Sequence, residues 1–285
     1  MALKFFNRRR GPAEERAEMS FIDHLEELRS HLFRSIIAIA IGGVVIGIYN
    51  KFVVRDVLMG PTHPDFITYR LLCKAGYKMG LGDMMCITEI PVKMQNTFMS
   101  GQLTLLLNVI LIGGFILAFP YVFWQFWKFI KPALTDREKQ RTKGVIFWVS
   151  FLFFLGIVFG YFVIAPYTVN FLSTFTLDEN IQNIWTITSY LDTMTPLIMG
   201  TGLAFQLPLV IYFLAKIGIV SPAFLRRYRR HAIVIILIIA AFITPPDVIS
   251  QCIVSLPLLL LYEISIKLAV KVEKQNKKDE TAEWS

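Results

Sequence analysis

Four stretches of this chain are long and apolar enough to leave water: Leu32–Tyr49, Leu103–Trp127, Gly144–Ala165 and Met194–Gly218. A helix rising about 1.5 Å per residue needs about 20 such residues to cross a hydrocarbon core of about 30 Å. None of the four has Asp, Glu, Lys or Arg in its central part; Arg34 and Lys216 sit at ends, where long side chains reach the interface. Composition agrees. Of the 285 residues 55% are apolar and 18% charged, with a mean hydropathy of +0.55, whereas a soluble domain carries about 25% charged residues. A soluble enzyme, a secreted disulfide scaffold and a disordered chain are all excluded.

A fifth apolar stretch, Ala232–Val270, is about 39 residues long and is interrupted by Thr244-Pro245-Pro246-Asp247. Two adjacent prolines remove two backbone donors, and Pro-Pro-Asp is turn chemistry. The reading is a hairpin of two spans, near 232–244 and 249–270, in preference to one long kinked helix. The first arm is short for a full span, so it thins the bilayer or leans on its neighbours. The expected fold class is all-α: a polytopic membrane protein of six transmembrane helices, the last two short. The spans lie near 32–49, 103–127, 144–165, 194–218, 232–244 and 249–270, giving a membrane domain over 32–270 between tails at 1–31 and 271–285.

Charge placement orients the bundle. The net charge of +8 would suggest nucleic acid on a soluble protein. Here Lys and Arg gather in the region up to His31, in Lys128–Lys143, in Lys216–His231 and in the tail from Lys267. Pro166–Thr193 and Thr244–Ser250 have none. Short basic connections stay in the cytoplasm, so both termini are expected there, in the inner membrane of a bacterium, with no nucleic-acid partner. Arg8-Arg9-Arg10 reads as part of a solvated cytoplasmic tail, because the next apolar run is distant and of full span length. In the outside loop Cys73 and Cys86 lie close enough for a disulfide, which stays open at this point. Cys252 reads as a small apolar filler within a span.

The residues with chemistry are few. Ser20–Phe33 has an apolar stripe at Phe21, Leu25, Leu28 and Leu32, with Ser20 and Asp23 as a capping-box-like start. It reads as a surface helix running into the first span. His24, Glu27 and His31 share a second face: a solvated polar face, a metal site of low expectation, or, at Glu27, an acceptor for a cationic partner. Glu138 closes a capping box with Thr135 and also faces the cytoplasm as a second carboxylate. Within the spans Asn108 and Gln206 are candidates because polar groups are costly there. Gln206 precedes Pro208 in a helix loosened by Gly200 and Gly202, and the plain reading is an amide bonded to a neighbouring helix. Glu263 is expected to pair with Lys267 one turn on, and Asp247 to cap the last helix. No phosphate-binding loop, catalytic Ser-His-Asp or Cys-His order, CxxC motif or internal repeat is present. The chain is not expected to be an enzyme or to hold a cofactor or metal, and any transport must draw on a gradient or a partner.

Four segments together resemble one family. His24-Leu25-Glu26-Glu27-Leu28-Arg29, Phe129-Ile130-Lys131-Pro132-Ala133-Leu134 with Glu138, Gly202-Leu203-Ala204-Phe205-Gln206-Leu207-Pro208, and Phe242-Ile243-Thr244-Pro245-Pro246-Asp247-Val248-Ile249-Ser250-Gln251 look like motifs of TatC, the multispanning subunit of the twin-arginine protein translocase. The resemblance implies a core receptor that binds twin-arginine signal peptides. With single-span TatA- and TatB-type partners it would export folded proteins on the proton-motive force, as a homo-oligomer within a larger complex. It places Glu27 and Glu138 in the signal-peptide site, with Arg29 orienting Glu27 or its surroundings. Guanidinium offers a planar fork that a carboxylate matches in bidentate fashion and lysine does not. Two departures stand out. Many members carry glutamate where this chain has Gln206, and an amide does not titrate. The loop Asn50–Gln102 is long for the family. The competing reading is a proton- or ion-coupled small-solute transporter with helices broken at Pro120, Pro208 and Pro257.

Overall fold

The computed structural model describes residues 21–80, 82–131, 144–178 and 183–283. Glu138 with its Thr135 capping box, and Ser20, therefore lie outside the described residues. The chain is largely helical. α1 (Phe21–Ile48) is one unbroken helix, so the surface segment and the first span are continuous. After a further turn, Asn50–Phe52, a π-helical stretch, Val53–Leu58, and a short 3-10 turn lead into α2 (Ile67–Lys78). β1 (Lys93–Gln95) precedes α3 (Gly101–Ile130). α4 (Val145–Phe159) passes through a π-helical stretch, Gly160–Ile164, into α5 (Ala165–Thr174). β2 (Ile184–Thr186) then precedes α6 (Ile187–Ala204) and α7 (Leu207–Lys216). The last helices are α8 (Pro222–Arg227), α9 (Arg229–Ile243) and α10 (Val248–Glu283).

Among the described residues five helical segments are long and apolar enough to cross a membrane: Glu26–Ile48, Gly101–Ile130, Val145–Thr174, Ile187–Lys216 and Val248–Lys274. α9, with 15 residues, is about 22 Å long and falls short of that length. The third segment extends nine residues beyond its expected end at Ala165, because Pro166 sits at the start of α5, where a missing N–H costs nothing.

Glycine sets how closely the helices meet. α1 crosses α3 where Gly42 and Gly43 face Gly114: a Cβ on Gly114 would lie 2.6 Å from the Gly43 nitrogen and 2.8 Å from the Ile39 oxygen. Small residues here replace a hydrophobic driving force that lipid does not supply. α1 touches little else, and Ile41, Val44 and Ile48 remain more than 60% exposed. The main core lies deeper, where α6, α7 and α10 enclose Leu197, Phe205, Ile236, Val254 and Leu258. A second aromatic cluster of Phe119, Trp127 and Phe153 joins α3 to α4.

The expectation of an all-α fold needs one amendment. β1 and β2 pair in parallel, Lys93 opposite Ile184 and Gln95 opposite Thr186, and this short ladder ties the long first connection to the third. Cys73 and Cys86 form a disulfide that closes the turn after α2. Tyr69 is buried, and its hydroxyl donates to both the Pro61 and Pro166 carbonyls, at 2.8 and 2.9 Å. Thr68 donates to Phe162 O, Tyr161 to Val57 O and Tyr190 to Leu58 O, while Phe66 stacks on Phe162. The first connection is thus a folded cap on the ends of α4, α5 and α6. Cys252, expected as a filler, is instead exposed on α10.

Candidate functional site

α1 and α3 together build one polar spot in an apolar surround. His31 is buried at 9% exposure, and its Nδ1 lies 2.7 Å from Oε1 of Gln125 on α3. Gln125 itself is 2% exposed. One turn before His31, Glu27 is one-third exposed, with Oε1 3.9 Å from His31 Nε2. Its other oxygen, Oε2, is buried and has no hydrogen-bond partner among the described residues. A buried carboxylate oxygen without a donor is costly. The helix period makes the pair: residues four apart stack on one face. Ser35 continues that face, its hydroxyl donating to His31 O at 2.9 Å.

Residues two apart point to different sides of a helix, and the Arg29 guanidinium lies 5.5 Å over the Phe33 ring. Glu138 lies outside the described residues, as does most of its connection. Lys128, near the mouth of that connection, holds its ammonium 3.7 Å over the Trp124 ring.

The remaining candidates do not join this spot. Gln206 bonds a neighbouring helix as its plain reading held, donating from Nε2 to Val149 O on α4 at 3.0 Å, while its Oε1 is buried without a partner. α6 ends just before it, and Pro208 occupies the first turn of α7. Asp247 caps α10, its Oδ1 accepting from the Ser250 N–H at 2.6 Å, and its Oδ2 is buried and unpartnered. Glu263 pairs differently from expectation. It meets Arg229 of α9 through two contacts, 2.9 and 3.0 Å, because the α9–α10 hairpin places that fork opposite it and bidentate geometry outweighs a local turn.

Sequence reasoning missed Gln125 and the cap. A lone amide between Trp124 and Phe126 was the available signal for Gln125. A cavity of about 1020 Å³ lies beneath the cap between α1, α3, α4 and α6, walled by Val109, Gly113, Ile157, Met194 and Ile198 and edged by Arg55 and Asp56. Among the described residues no cluster of three His, Cys, Asp or Glu side chains could hold a metal.

Comparison with known proteins sets this geometry in a family. The sequence model for Sec-independent protein translocase protein TatC matches residues 23–257. The chain is 41% identical over 263 residues to the TatC protein of Blattabacterium sp. subsp. Periplaneta americana, covering 92% of this chain and 98% of that one. It is 33% identical over 260 residues to that of Campylobacter jejuni, covering 91% and 97%. Two crystal structures of the twin arginine translocase receptor TatC superpose with TM-scores of 0.63 and, in DDM, 0.68. Each is 32% identical; they cover 88% and 86% of this chain and 99% of theirs. The chain is a membrane protein belonging to the TatC family, a subunit of the twin-arginine protein translocase.

Proposed function

We propose that this chain is the receptor subunit of its translocase, and that Glu27 is the acceptor for the arginine pair of a signal peptide. The observation that carries this is the Glu27 carboxylate, one-third exposed and with one buried oxygen lacking a donor. A guanidinium supplies two parallel donors to such a group, which an ammonium does not. Glu138 serves as the second carboxylate, on the basic connection between the second and third spans.

Six spans place both termini in the cytoplasm of a bacterial inner membrane, with residues 32–270 as the membrane domain between tails at 1–31 and 271–285. α9 is the short fifth span. It lies antiparallel to α10, with Gln251 Nε2 donating to Leu237 O near the turn and Arg229 meeting Glu263 at the far end. α9 therefore runs alongside α10 from the turn to Glu263, and α10 continues beyond it to complete a span through Lys274, which supports counting both as spans. TatA- and TatB-type single-span proteins would complete the path within a larger assembly containing further copies of this chain. Moving one charge through 100 mV is worth about 2.3 kcal/mol, so a proton-motive force is an adequate energy source for a chain without a nucleotide site. The small-solute reading is not favoured, because the intramembrane polar groups do not converge on one point.

A photo-reactive group beside the arginine pair of a signal peptide should crosslink next to Glu27 and Glu138. A Lys-Lys peptide should not. Equal labelling by both peptides would overturn arginine recognition at this surface.

A further inference from the structure

His31 stands beside Glu27, and the two-carboxylate reading gives it no task. Its ring is held from one side only. Gln125 Oε1 is an acceptor, so the Nδ1 it meets at 2.7 Å carries a proton. That leaves Nε2 to face Glu27 Oε1 at 3.9 Å. In the neutral ring Nε2 is a bare lone pair turned toward a carboxylate. In the imidazolium it is an N–H with a full charge beside it. Protonation of Nε2 decides which of these two faces Glu27 sees.

The surroundings leave Glu27 as the partner of that charge. On α1 it is the carboxylate one turn away, while Arg34, one turn the other way, is exposed. From α3 the groups at this level are Gln125, a neutral amide that holds Nδ1–H in either state, and Lys128, whose ammonium is directed over Trp124. No described carboxylate besides Glu27 comes within ion-pair distance of His31.

Resting on the reading of Glu27 as the arginine acceptor, we infer that His31 is a positioning residue that competes with the signal peptide for Glu27. Protonated His31 occupies the carboxylate and repels an incoming guanidinium. Arginine binding takes Glu27 away and expels the Nε2 proton to solvent. The peptide complex then contains one fewer proton than its separated components wherever His31 was charged. Binding releases a proton, so affinity falls as pH falls.

The test is calorimetric titration of the full-length chain in detergent with a synthetic twin-arginine signal peptide, at pH 6 and pH 8. Each is run in two buffers of different ionisation enthalpy. The expected result is binding about tenfold or more tighter at pH 8, with proton release detected at pH 6. His31→Gln should remove both effects and bind at pH 6 about as wild type does at pH 8, with an unchanged melting temperature as the check on folding. A flat wild-type profile, or a His31→Gln profile with the wild-type slope, would overturn the inference. Glu27→Gln separates the two levels. If it binds as tightly as wild type at pH 8, the acceptor reading itself has failed; if it binds weakly while wild type is flat with pH, only the role of His31 has.

Discussion

The hydroxyl of Tyr190 donates to the carbonyl oxygen of Leu58 at 2.6 Å, across 132 residues of sequence. With Tyr69, which reaches both Pro61 and Pro166, it pins the cap to the helix ends. Removing either hydroxyl takes a donor from each carbonyl it reaches. Tyr190→Phe should cost about 1 kcal/mol and Tyr69→Phe about 1–3 kcal/mol, read as lower melting temperatures in detergent and faster proteolysis of the cap. Tyr69 adds a pH signature. Burial pushes its phenol well above the ordinary tyrosine range. A raised pKa means that its contribution is complete below the unfolded value of about 10 and fades as pH climbs toward the folded one. An absorbance titration should find Tyr69 ionising above the ordinary tyrosine range, and Tyr69→Phe should remove one tyrosine from that late phase.

The Cys73–Cys86 bridge closes a short loop, and chain-entropy arguments give such a bridge about 3 kcal/mol. The double substitution Cys73→Ser, Cys86→Ser should speed hydrogen exchange across the second half of α2 and the following turn. The start of α2, tethered by Thr68 and Tyr69, should keep its protection. Uniform loss of protection over the cap would show that the bridge, and not the tyrosines, holds it down.

Gly114 fixes the approach of α1. The atoms that a new Cβ would strike belong to the Gly43 and Ile39 backbone, which has no side chain to swing aside. Gly114→Ala should cost about 1–3 kcal/mol, and Gly114→Leu should part the helices. A cysteine pair at positions 47 and 110, adjacent in wild type, should crosslink readily, weakly with alanine at 114 and not at all with leucine.

Gln206 gains a bond through Nε2 and loses one through Oε1. Gln206→Leu removes both, so it should change stability by less than about 1 kcal/mol. Gln206→Glu removes the amide N–H from Val149 O and places an acid in an apolar surround, which should cost several times more. Thermal unfolding of the two variants side by side decides this; equal losses would mean that Oε1 is satisfied in the membrane.

The sequence disclosed what is local and periodic. Apolar runs marked the long helices, Pro245-Pro246 marked the reversal between α9 and α10, and an acidic residue just before a helix marked the Asp247 cap. It hid what depends on partners far along the chain. Tyr69, Tyr161 and Tyr190 look like ordinary interfacial aromatics until the carbonyls they reach are known. Glu263 had a suitable cation four residues away, and a helical rule chose Lys267. The partner is Arg229 because an antiparallel hairpin aligns a rigid fork with the carboxylate, which no i, i+4 pattern encodes. His31 and Gln125 failed to stand out for the same reason: each is a single polar letter in its own helix, and only the α1–α3 crossing makes them a pair.

The parallel ladder between β1 and β2 has a consequence for how the molecule is made. Lys93–Gln95 leaves the ribosome long before Ile184–Thr186, and the Tyr69–Pro166 bond likewise waits for a residue 97 positions later. The cap therefore stays unlatched until α5 and β2 have been threaded to the same side. Only a chain whose early and late helices are inserted in mutually consistent orientations can complete it.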